Sequence, residues 1–116
     1  MDLLRNGRPR VVITGMGAVT ALGNMREMWE SLKRGQSGIR KVENFDVSHV
    51  GVKIGAQALQ FTTSRYVEHK EGRRMGRSSL MAVEAAGDAV ADAGLTGEII
   101  EAEGERSGTV IGTSLG

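Results

Sequence analysis

Apolar and polar positions along this chain of 116 residues follow two different periods. Residues 10–14, RVVIT, form a β-branched run that stops at Gly15 and Gly17, which is typical of a buried, parallel strand. Residues 107–112, SGTVIG, show the same pattern, and residues 50–56 alternate enough to predict a further short strand.

A helical period occupies the stretch between the predicted strands at residues 10–14 and 50–56. Asn24 can cap this helix, Glu27 stands where the acid of a capping box belongs, and Gly35 predicts the helix end. Its apolar face consists of Met25, Met28, Trp29 and Leu32.

The strongest helical pattern lies between residues 75 and 93, and Gly94 predicts its end. Its stripe of small and apolar residues is Met75, Ser79, Ala82, Val83, Ala86, Val90 and Ala93. Small side chains favour a helix enclosed in a layered core, and residues 97–106 predict an acidic loop. Strands alternating with helices predict an α/β fold with a parallel sheet.

Composition narrows the function classes. There is no cysteine, so the chain has no disulfide, no thiolate metal site and no cysteine nucleophile. A net charge of +1 argues against nucleic-acid binding. The apolar runs fall far short of the roughly 20 residues of a membrane span, and residues 1–10 lack a secretory core. We expect a cytoplasmic protein with no membrane contact.

Three features are candidate functional motifs: a glycine-rich turn, a G-x-S-x-G match and a pair of histidines. Gly15-Met16-Gly17 follows a strand as a dinucleotide fingerprint would, but Thr20 occupies the third glycine position, which favours a tight structural turn. Residues 112–116 match the G-x-S-x-G elbow of serine hydrolases, with Ser114 as nucleophile, so a hydrolase stays an alternative here. His49 and His69 lack the spacing of a metal site, and we expect none.

A basic cluster precedes the long helix. It consists of His69, Lys70, Arg73, Arg74 and Arg77, and the last four are spaced i, i+3, i+4 and i+7. If this stretch is helical, the four cations share one face. That face is either solvated and balanced in part by Glu68 and Glu71, or it docks an acidic partner.

Several segments, taken in order, resemble one family. They are residues 10–25 (RVVITGMGAVTALGNM), Trp29 and Leu32 leading to residues 35–39 (GQSGI), Phe45-Asp46, residues 73–77 (RRMGR), the alanine-rich helix ending at Leu95, and residues 107–116 (SGTVIGTSLG). Together they resemble the N-terminal part of the elongating β-ketoacyl-[acyl-carrier-protein] synthases. The resemblance makes residues 1–9 a polar lead-in and residues 10–116 an N-terminal fragment, about the first quarter of the family's length.

The resemblance implies a thiolase-like layered α/β fold, of which this chain is the N-terminal part with an incomplete mixed or parallel sheet. It also implies a decarboxylative condensation of an acyl thioester with malonyl-carrier protein, in fatty-acid or polyketide elongation. The family's catalytic cysteine and two histidines have no counterpart here, so we expect them downstream of Gly116 and expect this chain alone to be inactive. No cofactor is implied, because substrates arrive on carrier-protein phosphopantetheine.

The resemblance carries over two groups of site residues. Lys70, Arg73 and Arg74 match positions that dock the acidic acyl carrier protein, and Leu115 matches an aliphatic residue that lines the acyl pocket. Ser114 falls where relatives usually have glycine, which makes the serine hydrolase the remoter alternative. Family members are homodimers or pair with a homologous subunit, so a non-condensing, chain-length-factor-like partner and a separate carrier-protein-binding module remain alternatives.

Overall fold

The computed structural model describes residues 4–113 and builds them from short hairpins and helices. The antiparallel hairpins pair β1 (Leu4–Arg5) with β2 (Arg8–Pro9), β3 (Val19–Thr20) with β4 (Gly23–Asn24), and β5 (Ile39–Lys41) with β6 (Ile54–Ala56). The helices are α1 (Met25–Lys33), α2 (His69–Gly72), α3 (Arg77–Asp92) and α4 (Gly97–Ala102), and a 3-10 turn follows at Gly104–Arg106.

The caps of α1 are those that the sequence predicts. The Asn24 side chain accepts a hydrogen bond from the Glu27 backbone N–H (3.1 Å), and the Glu27 carboxylate accepts one from the Asn24 N–H (2.9 Å). Gly35 adopts a φ of 68°, the left-handed conformation that ends a helix and favours glycine. The predicted helix is therefore confirmed at both ends.

Helix α3 ends in the same way. Gly94 has a φ of 67°, its N–H donates to the Ala91 carbonyl (3.0 Å), and the Leu95 N–H donates to the Val90 carbonyl (3.1 Å). This pair of bonds is a Schellman motif, which satisfies carbonyls that a helix terminus leaves open. The predicted long helix is confirmed, although it begins at Arg77 and is separate from α2.

Two of the predicted strands are not paired. Residues 10–14 and 107–112 are not in any strand ladder of the described chain, and their apolar side chains are exposed, with Val11 at 94% and Val110 at 99%. The hairpins that do form are antiparallel, so a parallel sheet is absent from residues 4–113. A continuous apolar run predicts burial, but a strand also needs a neighbour for its backbone hydrogen bonds, and these segments have none among the described residues.

Two stretches expected to be irregular are ordered. Residues 97–106 contain α4, whose first turn is capped by the Thr96 hydroxyl accepting from the Ile99 N–H (3.3 Å). The polar lead-in holds the β1–β2 hairpin, which turns at Asn6-Gly7 with both φ values positive. Asn-Gly is the strongest short hairpin signal, so this turn was available in the sequence. The short strand expected within residues 50–56 forms only at its end, as β6.

Burial is sparse throughout the described residues. Leu80, on α3, is the one apolar side chain there that is buried. The radius of gyration is 18.0 Å, against roughly 13 Å for a compact domain of this length. The stripe predicted to enclose α3 is covered only in part, because four of its seven residues, Ser79, Ala82, Ala86 and Val90, are exposed. Contacts to α3 through polar groups and glycines, more than an apolar core, organise the described chain.

Candidate functional site

Three cations of the predicted cluster lie together at α2. Lys70 is on α2, and Arg73 and Arg74 are in the turn that continues it, where their N–H groups donate to the His69 (3.3 Å) and Glu71 (2.9 Å) carbonyls. Helical hydrogen bonds through this turn place residues three and four apart on one side. All three side chains are exposed, and none joins an ion pair within residues 4–113. We call Lys70, Arg73 and Arg74 the basic surface.

Arg77 does not extend the basic surface, contrary to the expectation of a single four-cation face. Helix α2 ends at Gly72 and α3 begins at Arg77, so the helical spacing is interrupted. The Arg77 guanidinium instead donates to the carbonyls of Phe61 (2.8 Å) and Ala58 (2.5 Å), and it lies 5.5 Å from the centre of the Phe61 ring. Arg77 is therefore a structural anchor for the loop before α2.

A polar network joins this loop to α3. The buried Glu84 carboxylate accepts hydrogen bonds from the Ser64 hydroxyl (2.9 Å), the Arg65 N–H (2.7 Å) and the Arg65 guanidinium (2.5 Å). One turn further along α3, Asp88 accepts from the Arg65 guanidinium (2.5 Å) and from the Tyr66 hydroxyl (2.9 Å). We call Ser64, Arg65, Tyr66, Glu84 and Asp88 the α3 network.

The pKa values of the α3 network follow from this geometry. Burial alone raises the pKa of the Glu84 carboxyl, but hydrogen bonds from Arg65 and Ser64 outweigh burial, so its pKa lies below the ordinary value of 4.5. The bond to Glu84 and the nearby Asp88 charge raise the pKa of the Arg65 guanidinium. Donation to Asp88 raises the pKa of the Tyr66 hydroxyl. Glu84 and Arg65 are therefore held in their charged forms and Tyr66 in its neutral form.

Sequence reasoning missed the α3 network. Its only signal was a pair of carboxylates, Glu84 and Asp88, spaced i, i+4 on a helix otherwise rich in alanine. That spacing puts both on one face. The partners come from residues 64–66, about twenty positions earlier, and no periodicity connects them to the helix.

The glycine motif near the start of the chain packs against α3. A Cβ at Gly15 would overlap the Ala89 carbonyl, and one at Gly17 would overlap the Ala85 carbonyl. The Met16 N–H, which a bound phosphate would need, donates to the Asp92 carboxylate (2.9 Å). The expected tight turn does not form, because residues 11–18 contain no turn or bend. Gly15 and Gly17 are instead required because the backbone at residues 15–17 approaches α3 closely.

An open apolar groove of about 770 Å³ follows the other side of α3. Its wall on α3 includes Val83, Ala86 and Val90, and its opposite wall includes Thr109 and Ile111. Leu115, expected to line an acyl pocket, and Ser114 lie outside the described residues. Within residues 4–113, no three histidines, acids or cysteines could hold a metal ion, and no helix is long and apolar enough to cross a membrane.

The comparison with known families identifies the class. The sequence model described as "Beta-ketoacyl synthase, N-terminal domain" matches residues 8–116, nearly the whole chain. The chain therefore belongs to this family and is an N-terminal portion of a β-ketoacyl synthase, which confirms the resemblance in its sequence. The G-x-S-x-G match at residues 112–116 lies inside the matched domain.

Individual relatives agree. The chain is 36% identical over 110 residues to 3-oxoacyl-[acyl-carrier-protein] synthase 2 of Synechocystis sp., covering 94% of this chain and 26% of that protein. It is 38% identical over 109 residues to the chloroplastic 3-oxoacyl-[acyl-carrier-protein] synthase II of Arabidopsis thaliana, covering 92% and 20%. For synthase 2 of Staphylococcus aureus the identity is 38% over 108 residues, covering 92% and 26%. The chain thus spans about a quarter or less of these relatives.

Proposed function

We propose that this chain is part of an elongating condensing enzyme, which joins an acyl thioester to malonyl-carrier protein with loss of CO2. The match of residues 8–116 to the ketoacyl-synthase domain and the similarity to 3-oxoacyl-[acyl-carrier-protein] synthases support this proposal. The fold of the whole protein is then the thiolase-like layered α/β arrangement, and the protein works as a homodimer or beside a homologous subunit.

The chain itself has no cysteine that could act as the nucleophile in that reaction and accept the acyl group. The resemblance matches neither His49 nor His69 to the family's catalytic histidines. We therefore assign the acyl-accepting thiolate and the two histidines to positions after Gly116, and residues 1–116 alone have no condensing activity. Substrates arrive on carrier-protein phosphopantetheine and no cofactor takes part. From the resemblance alone, we propose Leu115, which lies outside the described residues, as an acyl-pocket residue of the complete enzyme.

The role of the described residues is to dock the acidic acyl carrier protein through the basic surface. The observation that carries this assignment is that Lys70, Arg73 and Arg74 are exposed together and have no ion-pair partner in the described chain. Cations of this kind steer an oppositely charged protein during encounter, and their effect weakens as salt screens them. No internal ion pair of the described chain has to be broken before this exposed surface binds, so that cost in free energy is absent.

Charge reversal tests this assignment. Binding of a purified bacterial acyl carrier protein is measured by fluorescence anisotropy from low to high salt, for the wild-type chain and for Arg73→Glu/Arg74→Glu. We expect the double variant to bind at least about tenfold more weakly at low salt, with the difference shrinking as salt rises.

The matched control is Arg40→Glu/Lys41→Glu, which changes the net charge equally at two exposed residues of β5. This control should retain most of the affinity. Equal losses in both double variants would reduce the effect to net charge and contradict a docking role for the basic surface.

A non-condensing, chain-length-factor-like subunit is the alternative that shares these residues. The two differ in the complete protein, where the condensing enzyme has a cysteine in a strand-to-helix turn of small residues and the other subunit has a different residue there. Sequencing the region of the gene after residue 116 separates them. A separate carrier-protein-binding module instead requires residues 1–116 to fold and bind the carrier protein without further residues.

A further inference from the structure

The path of the loop before α2 is set by side-chain contacts. Residues 57–68 contain no helix or strand, so their course is not fixed by backbone ladders. Arg77 holds the carbonyls of Ala58 and Phe61 at one end, and the Gln60 amide donates to the Thr20 carbonyl (2.9 Å). Glu84 holds Ser64 and Arg65 at the other end, five residues before Lys70.

Helix α2 depends on that loop for its position. It has four residues and no side-chain cap at its start, and a helix this short is not stable in isolation. Its one buried residue is Gly72, which faces Val67 and Leu80. Leu80 lies one turn before Glu84 on α3. The residue on which α2 packs and the residue that binds its loop are therefore adjacent.

Glu84 is the most constrained point of this arrangement. Both Glu84 (7% exposed) and Ser64 (3% exposed) are buried, and the carboxylate takes up three donors from residues 64 and 65. Moving the loop away from Glu84 would break all three hydrogen bonds at once, and a buried carboxylate without donors is costly. Tyr66 adds a second attachment through Asp88.

We propose that Glu84 is a positioning residue for the basic surface, fixing residues 64–66 on α3 and thereby the orientation in which Lys70, Arg73 and Arg74 meet the carrier protein. This inference rests on the docking role proposed above. Glu84 contacts no carrier protein itself. Its carboxylate acts through the loop, and Arg65 acts with it through a guanidinium fork that reaches both Glu84 and Asp88.

A double-mutant cycle distinguishes positioning from general support of the fold. Carrier-protein affinity is measured for the wild-type chain, Glu84→Gln, Arg73→Glu/Arg74→Glu and the combined variant. We expect Glu84→Gln to weaken binding about fivefold in the wild-type background and less than twofold once the basic surface is reversed. Glu30→Gln is the control, since it removes an exposed carboxylate that is also paired with a cation.

Arg65→Lys provides a second variant, should Glu84→Gln lose its helical circular dichroism. It keeps the positive charge at an exposed position but removes the planar fork, and we expect a loss of affinity of about threefold with the helical signal retained. Equal losses in both backgrounds, or unchanged affinity in Glu84→Gln and Arg65→Lys, would overturn the positioning role. If Arg73→Glu/Arg74→Glu itself binds normally, the docking assignment fails as well, so the two failures are distinguishable.

Discussion

The two sides of α3 differ in how many contacts the rest of the described chain makes with them. On the polar side, Glu84 and Asp88 accept five hydrogen bonds from residues 64–66. On the other side, Val83 and Val90 border an open groove, across which lie the exposed residues 109–113. The polar side is completed by a segment only about twenty residues away in sequence, so its geometry is fully specified within this chain. The apolar side is recognisable from its alanine and valine residues, but residues 4–113 make no comparable set of contacts with it.

The largest expected effect comes from the glycine contact that holds residues 15–17 on α3. Gly17→Ala places a Cβ against the Ala85 carbonyl, and backbone cannot move aside as a flexible side chain can. We expect a loss of about 2–3 kcal/mol in the free energy of unfolding, measured by urea titration of the helical circular dichroism. Gly108→Ala is the control, because its Cβ would meet nothing within 4 Å. Similar stability of the two variants would mean that this contact does not form.

An acid titration tests the polar side. Because the pKa of Glu84 lies below its ordinary value of 4.5, its ionised form stabilises the fold. That contribution is fully present above about pH 4.5 and is lost as the pH falls through the lower, folded-state pKa. Helical circular dichroism should therefore decrease in this acid range, and Glu84→Gln should flatten the decrease. An acid transition unchanged by Glu84→Gln would assign it to other carboxylates.

The smallest effect is expected on the apolar side. Val90→Ser replaces a side chain that is 36% exposed beside the groove, and valine and serine have similar helix propensities. The free energy of unfolding should change by less than about 0.5 kcal/mol. A loss above about 1 kcal/mol would indicate that this side of α3 is packed in solution, which would remove the contrast with the polar side.

The elements that were predicted correctly from the sequence are those determined by residues close together in the chain. The capping box at Asn24 and Glu27, the helix ends at Gly35 and Gly94, and the course of α3 each depend on residues within a few positions of one another. The prediction of a paired strand at residues 10–14 was wrong. A strand requires a neighbouring strand, and the apolar pattern of one segment does not identify that neighbour. The basic surface was found from helical spacing. The break that diverts Arg77 is flanked by Gly72 and Gly76, a signal that the helical spacing of the cations obscured. The α3 network depends on a contact between Arg65 and Glu84 that no local pattern encodes.

Hydrogen exchange at individual amides tests the contrast between the two sides most directly. The Arg65 N–H donates to the buried Glu84 carboxylate, whereas the amides of residues 109–111 belong to an exposed segment outside any ladder. We predict measurable protection at Arg65 that Glu84→Gln reduces, and exchange near the unfolded rate at residues 109–111. Protection at residues 109–111 equal to that at Arg65, unaffected by Glu84→Gln, would contradict the account.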